Sequence, residues 1–185
     1  MLLAYEDDSR TFVTRSEDGG RTFSPPVSLV FPEPGLMSGA YEFAADGMGG
    51  VVAIGWHQNR LVSVFSRDGG LTFSAGGELP MNEMPVAYDV ELVGQDGSFY
   101  LLLSRGYPDD RGVLQPDSLE LWFLALVDAD WELVGPVPGA TDRALCGDAG
   151  LAVNERGRVL VTWGAEIDPG RYVSYRCESM GAFFE

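Results

Sequence analysis

A single histidine and two cysteines in 185 residues leave too few soft ligands to build a zinc, copper or iron–sulfur centre. The histidine, His57, stands beside Gln58 and Asn59 in a polar stretch. Cys146 and Cys177 fall in different strand or loop contexts, which favours free thiols over a disulfide. Basic residues are also scarce. Twelve Lys and Arg against 28 Asp and Glu give a net charge of −16, which repels nucleic acid and anionic membrane over most of the surface. The longest apolar runs, Phe99–Leu103 and Leu121–Val127, are far short of a membrane-spanning helix. Acids at Glu6, Asp7 and Asp8 stand where a secretory leader would carry basic residues, so no signal peptide is read and the location stays open. Helical periodicity is lacking. With 24 Gly, 11 Pro and 45% hydrophobic residues, the composition fits many short strands joined by tight turns.

Against these absences stands a repeat. Ser16-Glu17-Asp18-Gly19-Gly20-Arg21-Thr22-Phe23 returns fifty residues later as Ser66-Arg67-Asp68-Gly69-Gly70-Leu71-Thr72-Phe73, with six of eight positions identical. Each copy follows a stretch of strand type, Thr11–Arg15 or Leu61–Phe65, and precedes another short strand. The octapeptide reads as a hairpin turn. The oxygens of Ser16, Asp18, Thr22 and of Ser66, Asp68, Thr72 can bond the turn's own backbone, and Gly20 and Gly70 permit positive φ. Phe23 and Phe73 are expected to point back into the core. Phosphate or calcium binding by Asp18 and Asp68 is the sharper alternative, but the acid spacing of an EF-hand is missing from both copies.

The surrounding chain follows the same grammar. Glu42–Ala45, a turn through Gly49 and Val51–Trp56 are matched by Val90–Val93, a turn through Gly97 and Phe99–Leu103. They are matched again by Gly150–Val153, a turn through Gly157 and Val159–Trp163. Met1–Tyr5 aligns with Val51–Gly55, so the first unit begins at its second strand. Val127–Trp131 replaces the octapeptide with a tighter turn in the third unit. Counting elements gives three, four, four and three strands.

The pattern S-x-D-x-G-x-T-F resembles the Asp box of the sialidase-like β-propellers. That resemblance implies an all-β fold of four-stranded antiparallel blades, with the box between the third and fourth strands. The chain then forms one partial propeller domain over residues 1–185. Its blades span roughly 1–31 (partial), 39–80, 88–136 and 148–185 (partial). Fourteen strands make about three and a half blades, whereas closed propellers have four to eight. Further blades from a longer protein, a second copy of the chain or a persistent open arc each resolve the shortfall.

In an up-and-down blade, connections alternate between two faces. The resemblance places the active site on the face opposite the boxes. The connections expected there carry the candidate catalytic residues Tyr41, Glu42, Asp109 and Glu166. They also carry candidate substrate-binding residues His57, Arg105, Tyr107, Arg111, Arg143 and Arg171. Carboxylates facing one another across a channel can serve as acid and nucleophile on a glycosidic bond, and a tyrosine beside a glutamate can supply an activated phenol. The plainer reading is that loop charges solvate a surface. The segment Ser104–Glu120 is far longer than its counterpart at residues 57–60, the mark of a binding arm or a surface insertion.

The sialidase pattern also includes an Arg-Ile-Pro motif, which these residues lack, and the acidic field disfavours an anionic sugar. The expected function is therefore a carbohydrate-related Asp-box propeller with glycan on the face opposite the boxes, of sialidase-like glycoside hydrolase type if it is catalytic. A non-catalytic module that binds glycan or protein is the alternative. No metal or cofactor is expected. The expected partners are a glycan and either a second copy or missing blades, with neither nucleic acid nor membrane among them.

Overall fold

The structure, a computed structural model, describes residues 1–7, 10–29, 37–57, 60–80, 87–105, 120–127, 130–137, 140, 149–168 and 171–178. Among these residues there are fourteen strands and no helix. They form four antiparallel sheets in chain order. The first contains β1 (Leu2–Asp7), β2 (Arg10–Arg15) and β3 (Val27–Ser28). The second contains β4 (Met37–Ala45), β5 (Val51–His57), β6 (Arg60–Ser66) and β7 (Ser74–Glu78). The third contains β8 (Ala87–Gln95), β9 (Ser98–Arg105), β10 (Glu120–Val127) and β11 (Asp130–Pro136). The last contains β12 (Gly150–Val153), β13 (Val159–Asp168) and β14 (Arg171–Glu178).

Within each sheet the strands lie in sequence order, and the leading strands β4, β8 and β12 run beside one another. Three up-and-down sheets fanned about these leading strands, with the first sheet beside β4, make an arc of a β-propeller.

The core sits between sheets, so a middle strand is covered on both faces. Its sequence accordingly reads as an unbroken apolar run. In β9, Phe99, Leu101 and Leu103 pack toward the second sheet with Val52, Ile54, Leu61 and Val90. The alternate residues Tyr100 and Leu102 pack toward the fourth sheet with Val159, Val161 and Trp163. A third cluster joins the first two sheets through Val13, Leu29, Ala53, Val62 and Val64. Leu101 is fully buried, and removing such a side chain costs about 2–5 kcal/mol.

The octapeptides close the turns between third and fourth strands by saturating one carboxylate. The Ser16 hydroxyl donates to Asp18 Oδ1 at 2.9 Å and accepts from the Gly20 N–H at 2.7 Å. Asp18 Oδ1 also accepts from the N–H groups of Arg21 and Thr22, both at 2.9 Å, while Oδ2 takes the Thr22 hydroxyl at 2.7 Å. The second copy repeats this set. Ser66 donates to Asp68 Oδ1 at 2.7 Å and accepts from Gly70 at 2.8 Å. Leu71 and Thr72 donate to Oδ1 at 3.0 and 2.9 Å, and the Thr72 hydroxyl reaches Oδ2 at 2.6 Å. Gly20 and Gly70 share a φ of 89°, a region where a Cβ is strained.

The two phenylalanines part company. Phe73 packs against the cluster between the first and second sheets, as expected. Phe23 does not point into a core: it is 42% exposed. The reason is directional. Phe73 leans back onto the preceding sheet, and among the described residues no sheet precedes the first. Trp131 fills the same office in the third sheet, which has no octapeptide. It lies one residue past the β10–β11 connection, is buried between the second and third sheets, and donates its indole N–H to the Ser63 hydroxyl at 3.0 Å.

Turns between leading and second strands share this end of the sheets. Asp46 Oδ1 accepts from the N–H groups of Met48 at 2.7 Å and Gly50 at 2.8 Å. Asn154 Oδ1 does the same for Arg156 and Arg158 at 2.9 and 3.1 Å. The third sheet uses the two-residue turn Asp96-Gly97, both with positive φ.

Candidate functional site

Strand direction sorts the sheet ends into two faces. Turns through Gly19–Gly20, Gly49, Gly69–Gly70, Gly97 and Gly157 gather on one. The other, called the opening face here, receives the ends of β5, β9 and β13 and the starts of β4, β6, β8, β10 and β14. Turn-face chemistry is inward-looking. With its oxygens occupied, Asp18 is held down at about 2 from 3.8, first by the Thr22 backbone N–H, then by the Thr22 and Ser16 hydroxyls. Asp68 is held lower still, led by the Thr72 hydroxyl and then its N–H. Both carboxylates are anionic at neutral pH and committed to their own turns. Among the described residues, no group of three His, Cys, Asp or Glu is placed to hold a metal ion.

The opening face behaves differently. Three ladders that pair regularly at the turn end lose register toward the opening end. The β4–β5 ladder passes from Ala40↔Gly55 to Glu42↔Ile54 and skips Tyr41. The β8–β9 ladder passes from Ala87↔Arg105 to Asp89↔Ser104 and skips Tyr88. The β13–β14 ladder shifts between Glu166↔Tyr172 and Asp168↔Arg171. Such shifts bend a strand and re-aim its side chains, and they are enriched beside active sites.

Several sequence-predicted residues stand at these ends. Tyr41 and Glu42 lie on β4, with Tyr41 in the register shift and Glu42 half-buried. His57 closes β5, opposite Met37 on one side and Arg60 on the other. Arg105 closes β9, between Ala87 and Glu120 in the ladder. Glu166 and Arg171 lie on either side of the β13–β14 hairpin. Five strands of three sheets thus bring Tyr41, Glu42, His57, Arg105, Glu166 and Arg171 to one face. Asp109, Tyr107, Arg111 and Arg143 lie outside the described residues, as does Cys146. The long segment predicted between Ser104 and Glu120 is bounded as expected, with β9 ending at Arg105 and β10 starting at Glu120.

Two residues escaped the sequence reading. Glu91 is paired with Leu102 as Glu42 is paired with Ile54, and Leu102 and Ile54 occupy the same step of their second strands. Adjacent leading strands therefore carry half-buried carboxylates at equivalent positions, which aligning the glycine turns does not reveal, because Gly49 and Gly97 set Glu42 beside Val90. Ser104 is 5% exposed near the opening end of β9, and its hydroxyl bonds no described residue.

A scan against protein-family models finds no match, and neither does a search of curated proteins. Solved structures do match. The NanB sialidase from Streptococcus pneumoniae aligns at 14% identity and a TM-score of 0.57, covering 88% of this chain and 25% of the sialidase. A point variant of that sialidase aligns at 15% identity and 0.54 with the same coverage. The endo-arabinase from Bacteroides thetaiotaomicron aligns at 14% identity and 0.50, covering 96% of this chain and 70% of that one. The chain thus spans a quarter of the sialidase it resembles. At these identities the likeness is one of fold, and the fold is an arc of an all-β propeller.

Proposed function

We propose that this chain is part of an Asp-box propeller that handles carbohydrate on the opening face. The octapeptides Ser16–Phe23 and Ser66–Phe73 serve it as Asp boxes, that is, as scaffold. One observation carries the reading. Polar groups on the turn face are consumed by their own turns, whereas strand ends bearing Tyr41, Glu42, His57, Arg105, Glu166 and Arg171 collect where the ladders shift register. The likeness to a sialidase and an endo-arabinase supports a sugar as the ligand.

Neutral glycans suit the site better than sialic acid. The chain carries a net charge of −16, which opposes approach of a carboxylated sugar. In a catalytic version, Glu42 and Glu166 supply the paired carboxylates of glycoside cleavage, with Asp109 as a further candidate. Tyr41 and the arginines 105, 111, 143 and 171 orient the substrate, together with Tyr107 and His57. A non-catalytic glycan-binding module is the second reading, and binding without hydrolysis identifies it.

The test is saturation-transfer NMR and hydrolysis with a panel of neutral oligosaccharides, including arabinan fragments, alongside sialyllactose. Binding to a neutral glycan that is lost in Glu42→Gln or Glu166→Gln supports the proposal, and hydrolysis lost in the same variants adds catalysis. Silence across the neutral panel, or binding indifferent to both variants, overturns it.

A further inference from the structure

We infer that the outer face of the first sheet is a docking surface for a second copy of this chain, joined head to tail through the outer face of the last sheet. The argument begins with the fifty-residue repeat, which makes positions in the first two sheets directly comparable. Leu3, Tyr5, Phe12 and Phe23 align with Ala53, Gly55, Val62 and Phe73. In the second sheet these positions face backward: Ala53 and Val62 are 0% and 5% exposed, and Phe73 packs on the same cluster. In the first sheet Leu3 is 50%, Tyr5 41% and Phe23 42% exposed. Tyr5 and Phe12 stack on each other, with centroids 5.6 Å apart. Residues on the opposite face, Leu2 and Val13, already pack on the second sheet. The uncovered face therefore continues an interface that the chain builds three times within itself, with larger apolar side chains.

The complementary surface lies at the other end. Ala152, Leu160 and Thr162 occupy the forward-facing steps that Ala44, Val52 and Ile54 fill in the second sheet. Val52 and Ile54 are buried to about 1% exposure by the third sheet, whereas Ala152 and Thr162 are exposed and Leu160 is half-buried. The described residues thus present one backward and one forward face of the same kind, as a heterologous contact requires. None of the seven positions is charged, although the chain carries −16 overall, so the contact avoids the repulsion that the rest of the surface imposes. Two copies bring together eight sheets, within the range of four to eight blades found in closed propellers.

Light scattering across a concentration series, combined with photo-crosslinking, tests this. The wild-type chain should associate, and Leu3→Asp with Phe23→Asp should weaken association by roughly 100-fold or more. Met48→Asp and Leu71→Asp, at exposed apolar positions on the turn face, should leave it unchanged. Circular dichroism establishes that each variant is folded. A benzophenone amino acid in place of Tyr5 should crosslink to residues 150–164 of a second copy, in closed dimers or in longer head-to-tail ladders. A chain that stays monomeric at all concentrations assigns the face to some other partner and overturns the inference. Association indifferent to Leu3→Asp and Phe23→Asp, or crosslinks that map elsewhere, also overturn it.

Discussion

The two octapeptides are nearly the same turn in two different places. Ser16–Phe23 and Ser66–Phe73 make matching hydrogen bonds to Asp18 and Asp68, with the same φ at Gly20 and Gly70. Only the second is wedged between sheets: the side chains of Leu2 and Val13 reach Gly70, and Phe73 joins the cluster behind it. Identical local chemistry therefore yields unequal packing. The turn is set by residues two to six apart, whereas the energy of its aromatic depends on which sheet stands behind it.

Phe73→Ala against Phe23→Ala gives the sharpest contrast. Removing half-buried Phe73 should cost about 2 kcal/mol in urea unfolding, while removing exposed Phe23 should cost less than about 0.5 kcal/mol. Equal losses would break the comparison. A smaller effect is expected from Ser63→Ala, which keeps the indole of Trp131 but deletes the hydroxyl it donates to. It should cost about 1 kcal/mol, measured the same way. No loss would mean that ring packing alone ties the third sheet to the second.

The subtlest contrast lies in pH. Folding depresses the acidities of Asp18 and Asp68, so the stability these carboxylates contribute is complete above about pH 4. It is lost as pH falls through about 2 for Asp18 and lower still for Asp68. Asp18→Asn and Asp68→Asn should each lower stability at pH 7 and flatten the decline between pH 4 and 2, followed by thermal unfolding across pH. An unchanged acid limb in either variant would show that its carboxylate is not held as the hydrogen bonds imply.

The turn face was legible in the sequence because its chemistry is local. Asp18 and Thr22 find each other within one turn, and the glycines that align the repeats at 49, 97 and 157 all take positive φ. The all-β class followed from the octapeptide's resemblance and the turn-rich composition, and apolar runs such as Phe99–Leu103 are strands that two neighbouring sheets cover. Phe23 misled for the opposite reason: nothing within the octapeptide reports whether a sheet lies behind it. The opening face was legible as a gathering of strand ends, which follows from strand order. The register shift at Tyr41 and the pairing of Glu91 with Leu102 were not, because register is a property of two strands and each sequence segment describes one. Trp131 hid in plain view, since its partner Ser63 is 68 residues away.

The backward reach of Phe73 and Trp131 bears on how the protein is made. Each aromatic docks on a sheet encoded earlier in the chain, so during synthesis its receptor has already left the ribosome when it emerges. Growth can then proceed by successive addition, each newly translated sheet sealing the one before it. At the growing end, the open surface is then confined to the most recent addition.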